Sequence, residues 1–140
     1  VRKEDREKFE EKVRNSGWYR LIGMSPYIGN GKAVVELEIE SKHKQALGTA
    51  HGGVIASILD SAAGLSVNSY LIKQNKIAVT AEMNISYLKP VKEGKLIAEG
   101  KIISSGSRLL VAYSEAKQND ELVAICTATY YVVDDPNPVA

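Results

Sequence analysis

Charged residues are dense along most of this chain and nearly vanish in one stretch. From Gln45 to Ile72 (QALGTAHGGVIASILDSAAGLSVNSYLI) the only charged side chain is Asp60. Val54, Ile58 and Leu65, with Ile55, Leu59 and Ala62, spread apolar groups round most of a helical circumference, so the pattern predicts a helix covered on several sides. It should begin at His51-Gly52-Gly53, and Ala56, Ser57, Ala62, Ala63 and Gly64 are small enough for neighbouring backbone to come close. Ser57, Ser61, Ser66, Asn68 and Ser69 interrupt the run, and positive clusters of the usual kind do not flank it, which argues against a membrane span.

The flanking segments organise around this helix. Arg2 to Ser16 is mostly charged, with Phe9 and Val13 as its apolar pair, and predicts a surface helix with a solvated face. Trp18 to Ile28 predicts a strand broken by Pro26 and closed by Gly29-Asn30-Gly31, with Trp18 as a packing anchor. Ala33 to Glu40 alternates Val35, Leu37 and Ile39 against Glu36, Glu38 and Glu40, the signature of a strand with one dry face. His43 to Ala50 is a polar loop in which His43 is expected to face solvent, and Asn75 marks the turn out of the helix. Four strands follow in a meander: Ile77 to Leu88, Lys95 to Ser104, Arg108 to Lys117 and Leu122 to Val133. Cys126, inside the last strand, is expected to be a buried small hydrophobe. The predicted class is α+β, an antiparallel sheet curled round one long helix. Residues 1–17 form an extra N-terminal helix, 18–133 the main domain, and 134–140 a frayed tail with Pro136 and Pro138.

Composition narrows the function classes. Lysine and arginine (18) nearly balance aspartate and glutamate (17), and a net charge of +1 gives no footprint for nucleic acid. One cysteine and two histidines are too few for a zinc cluster, and a single cysteine makes no intrachain disulfide. No signal peptide is recognised, so the expectation is a reduced, cytoplasmic setting, and the start at Val rather than Met points to a short missing native segment.

A lone carboxylate in an apolar helix needs a reason, because burying it unpaired costs several kcal/mol, on the order given for buried ions. It is paired, protonated or at work. A helix that starts with two glycines presents free N–H groups and a partial positive charge suited to a developing oxyanion. Asp60 lies seven residues beyond Gly53, about 10 Å along the axis. One carbonyl cannot be served by both the start and the Asp60 of a single helix at that distance, whereas two antiparallel copies can face one helix start with the other's Asp60. A catalytic site here is expected to be shared across a dimer.

GTAHGGVIASILDSAAG resembles the signature of the hotdog-fold acyl-CoA thioesterases, in the group related to the phenylacetate-pathway thioesterase and human thioesterase superfamily member 2. VTAEMNISYLKPVKEGK and the element order extend the similarity over roughly Trp18 to Val133. The resemblance implies the hotdog fold and hydrolysis of an acyl-CoA to a carboxylic acid and coenzyme A. It assigns Gly52 N–H to polarise the carbonyl, with His51 shaping the turn and Gly53 beside it, and Asp60 to act as nucleophile or general base. Thr80 stands where a hydroxyl helps position the water. Gln45 stands where the family commonly has Asn, a departure that keeps the amide on a longer arm. Lys89, Ser107 and Arg108 are candidates for phosphate contacts. No metal or redox cofactor is implied; coenzyme A enters as part of the substrate. The family pattern is a homodimer with a shared site, assembled as a homotetramer. Two further readings remain open on the residues: an enoyl-CoA hydratase or dehydratase on the same fold, and a non-catalytic acyl-CoA-binding module.

Overall fold

The structure, a computed structural model, describes residues 1–137. Helix α1 (Lys3–Arg14) and the short α2 (Gly17–Ile22) lead into β1 (Ser25–Ile28) and β2 (Lys32–Ile39). The long α3 (Gly52–Leu71) follows, then β3 (Lys76–Tyr87), β4 (Gly94–Ser105), β5 (Leu109–Gln118) and β6 (Glu121–Asp134). The six strands form one antiparallel sheet in the order β1-β2-β4-β5-β6-β3. It wraps α3, which packs against all six strands. This is the hotdog architecture, with an added N-terminal helix.

The alternation in β2 works as the sequence predicts, with Val35, Leu37 and Ile39 buried against α3. Burying such side chains contributes about 1.5–3 kcal/mol each. Ile58, Leu59 and Val67 answer them from the helix, and Leu96, Leu110 and Val123 from the other strands. Ser114 in β5 donates to the Leu59 carbonyl at 2.8 Å, a polar tie between sheet and helix inside the core. Cys126 is buried as expected. By length and composition α3 and its following turn are apolar enough to cross a membrane, but here that apolar surface is the core.

The two sheet edges differ. Along β1, α1 lies as cover: Glu10 accepts the Ile28 N–H at 2.8 Å and Arg14 donates to the Pro26 carbonyl at 2.8 Å. β3 pairs with β6 on one side and with no strand on the other among the described residues. A 12-residue uncovered edge presents a row of free backbone groups, which proteins ordinarily cover or pair.

Five expectations change. The last four strands are not one meander: β4, β5 and β6 pair in sequence, but β3 pairs with β6 at the sheet edge and not with β4. Trp18 to Ile28 is not one strand: residues 17–22 coil into α2, stopped by Gly23 at φ +92°, and only Ser25–Ile28 is extended. The apolar residues Trp18, Leu21 and Ile22 recur at helical spacing, and the Gly23 cap ends the turn. Trp18 is therefore no packing anchor; it is 54% exposed on α2. His43 does not face solvent but is 2% exposed. Its Nδ1 accepts the Glu40 N–H at 2.9 Å and its Nε2 donates to the Ile22 carbonyl at 2.7 Å, clamping α2 to the loop before α3. The start of the C-terminal tail is tied down: Asp134 pairs with Lys76, Asp135 N–H donates to the Asn75 carbonyl at 3.0 Å, and Lys12 donates to the Asn137 carbonyl at 2.9 Å. Pro138 lies outside the described residues.

Candidate active site

α3 begins as its sequence suggests. His51 is the N-cap, extended at ψ 138°, and its Nδ1 accepts the Gly53 N–H at 2.8 Å. Val54 and Ile55 N–H bond the His51 carbonyl. Among the described residues no acceptor meets the Gly52 N–H, so the one amide left free at the positive helix end belongs to Gly52. The Tyr87 hydroxyl donates to the Gly52 carbonyl at 3.0 Å, and its ring lies where a Gly52 Cβ would be 3.6 Å away. That contact fixes the end of β3 beside the helix start.

Two turns further on, Asp60 is half-buried and turned towards β3 and β6. Thr80 Oγ1 donates to its Oδ1 at 2.9 Å, and the Tyr130 hydroxyl donates to the same oxygen at 2.8 Å. The arrangement supplies the pairing that a lone carboxylate on an apolar helix requires. Asn68, two helical turns beyond Asp60, accepts the Ala78 N–H at 2.8 Å and donates to the Ala78 carbonyl at 3.2 Å, so the start of β3 is pinned to α3. Strict alternation would put Thr80 on one face with Glu82 and Asn84, but a bulge between Thr80 and Glu82 shifts the register. Thr80 thus faces the helix opposite Tyr130, while Glu82 and Asn84 pair with the outward Thr129 and Thr127.

Electrostatics around Asp60 favour donors over competing charges. Burial first, then the nearby carboxylate, pushes the Tyr130 hydroxyl far above its ordinary value, so it stays protonated. The Tyr19 hydroxyl of α2 is pushed up to about 12, by burial chiefly and by Asp60 in addition, with a bond to Ser61 acting against the rise. Burial raises the Cys126 thiol. No group of three metal-ligating side chains occurs among the described residues.

Other sequence candidates stand apart. Gln45 spends its amide inside its own loop, donating to Thr49 Oγ1 at 2.6 Å and accepting the Leu47 N–H. Lys89 sits near the start of α3 and pairs with Glu121 at 2.9 Å. Ser107 and Arg108 are exposed in the β4–β5 hairpin at the other end of α3, where the Arg108 carbonyl accepts Val132 N–H and Val132 pairs with Ala78. Within one protomer these cations do not share a site. Sequence reasoning missed Tyr130, Tyr87 and Asn68. Gly64 was the usable signal, since a glycine four residues after Asp60 makes room for the Tyr130 ring.

Known proteins resemble this chain in sequence and in fold. Residues 47–125 match the family described as the Thioesterase superfamily. The medium/long-chain acyl-CoA thioesterase YigI of Salmonella typhimurium is 36% identical over 95 residues, covering 59% of this chain and 61% of that one. Human acyl-coenzyme A thioesterase 13 is 28% identical over 94 residues, 66% of this chain and 63% of its own. The solved structure of a mutant phenylacetic acid degradation protein PaaI from Thermus thermophilus superposes with a TM-score of 0.75 at 27% identity, covering 81% of this chain and 96% of that one. With its six-stranded sheet wrapped on α3 and the family match spanning the helix start and Asp60, this chain belongs to the thioesterase superfamily.

Proposed function

We propose that the protein hydrolyses an acyl-CoA thioester to a free carboxylic acid and coenzyme A, in a site built from two copies of the chain. The observation that carries this reading is the Asp60 carboxylate, held by two hydroxyls on one oxygen and lying beside the uncovered strand β3. The free Gly52 N–H at the positive end of α3 would take the thioester oxygen and stabilise the tetrahedral oxyanion. Asp60 either removes a proton from water, whose oxygen attacks the carbonyl carbon, or attacks that carbon itself to form an anhydride that water then opens. In both routes the C–S bond breaks, the thiolate of coenzyme A leaves and is protonated, and Thr80 helps hold the carboxylate.

The run of β3 against α3 supports a dimer. Tyr87 touches Gly52 and Thr80 touches Asp60, so the two elements are antiparallel. If two β3 edges pair antiparallel about Met83 and Asn84, Tyr87 of one copy comes opposite Thr80 of the other. Each helix start then faces the other copy's Asp60, and Lys89 of one copy shares an end of the assembly with Ser107 and Arg108 of the other, in reach of the phosphates of one coenzyme A. Pairing also covers the exposed edge, which favours association. A dimer of such dimers, in a cytoplasmic setting, completes the reading.

His43 is engaged on both ring nitrogens and His51 on Nδ1, which leaves little for a hydratase that works through an imidazole. The test is thiol release from a panel of short, long and aryl acyl-CoA esters, wild type beside Asp60→Asn, with enoyl-CoA hydration assayed in parallel. Turnover that depends on Asp60 supports the proposal. Full activity in the variant, or tight acyl-CoA binding with no thiol released by the wild type, contradicts it.

A further inference from the structure

We propose that Tyr130 is a positioning residue for Asp60: with Thr80 it holds Oδ1, so that Oδ2 is the oxygen presented to the reaction. This rests on the reading of Asp60 as the catalytic acid and says which of its oxygens works.

The geometry is specific. The Tyr130 hydroxyl has a single proton and two acceptors in range, Asp60 Oδ1 at 2.8 Å and the Asp60 carbonyl at 3.0 Å. The carbonyl is neutral and lies inside α3, where it serves the helical ladder. The carboxylate is charged and nearer, and charge-assisted bonds are the stronger ones. Thr80 donates to the same Oδ1 at 2.9 Å. A carboxylate oxygen has two lone pairs, so both on Oδ1 are committed. Among the described residues nothing donates to Oδ2.

The fold builds this pair deliberately into adjacent strands. Thr80 and Tyr130 are direct cross-strand partners, and the bulge after Thr80 turns its side chain inward beside the tyrosine. Tyr130 is 1% exposed, so its ring is held by packing rather than by water. Beneath it lies Gly64, where a Cβ would come within 3.2 Å of the ring. Because its hydroxyl stays protonated, it remains a donor throughout the working pH range. Tyr130 therefore does not touch the substrate; it acts through Asp60.

The test compares Tyr130→Phe, which keeps the ring and deletes the donor, with wild type and Asp60→Asn in steady-state thiol release. The expected result is a kcat lower by about tenfold with KM nearly unchanged, and no further loss when Tyr130→Phe is added to Asp60→Asn. If Tyr130→Phe does not fold, Gly64→Ala displaces the ring without deleting it, and kcat falls there in the same way. Wild-type kcat in either folded variant, a change confined to KM, or an additive loss in the Asp60→Asn background would overturn the positioning role. Near wild-type turnover in Asp60→Asn itself overturns instead the catalytic reading beneath it.

Discussion

Gly100 of β4 lies so close against the Ala62 carbonyl of α3 that no Cβ fits between them. The helix can approach the sheet only because this position has no side chain, and the obstruction is backbone, which cannot rotate away. Gly100→Ala is predicted to destabilise the fold by several kcal/mol, about the upper end for overpacking a core. Thermal unfolding of the variant should show a large drop in midpoint or little folded protein at all; a midpoint near that of wild type would mean that α3 does not seat as described.

The start of α3 carries a separable prediction. His51 caps Gly53 through Nδ1, and losing a side-chain cap costs about 1 kcal/mol. His51→Ala should lower stability by roughly that amount in denaturant unfolding, and His51→Asn, which also offers a cap acceptor, should restore most of it. An imidazole that acted on substrate would show the reverse: stability unchanged, activity lost, and no rescue by asparagine.

Gly52 can be tested without disturbing the helix. Proline is favoured at the first helical position, and the residue before it must be extended, as His51 is at ψ 138°. Gly52→Pro removes the free N–H and should leave folding and assembly unchanged while lowering kcat by about 10²–10³, the range for loss of an oxyanion donor. Undiminished kcat would release Gly52 from that role.

Cys126 bears on any thiol-release assay. It is buried and its thiol is raised by burial; since the thiolate is the reactive form, low ionisation and poor access both protect it. The native protein should give no reaction with DTNB over an assay, and one thiol per chain after denaturation. Rapid native labelling would contradict the packing of β6.

Much of this was legible beforehand, for physical reasons. The alternation of Val35, Leu37 and Ile39 with glutamates fixes which face of β2 is dry, and the uncharged run about Asp60 marks a helix that must be wrapped. Thr80 was singled out through the resemblance, and its hydroxyl does reach Asp60, but its facing could not be read, because a bulge adds a residue that no alternation rule anticipates. Tyr130 was missed for a different reason: Gly64 signals a close approach but not the residue that makes it, and the partner is 70 residues from Asp60 in the chain. His43 misled because a loop histidine between lysines looks solvated, while its two ring nitrogens answer backbone groups that only the folded α2 brings near. Trp18 misled because a short aromatic stretch fits strand and helix alike until Gly23 ends the turn.

The most direct test of the shared site is complementation between inactive copies. Gly52→Pro and Asp60→Asn proteins are purified separately, mixed, unfolded and refolded together, and assayed for acyl-CoA thiol release. A site that takes Gly52 from one copy and Asp60 from the other predicts recovery, because each mixed dimer contains one intact pair and one doubly altered pair. Activity that remains at the level of the separate variants, with mixed dimers shown to have formed, would contradict the shared site.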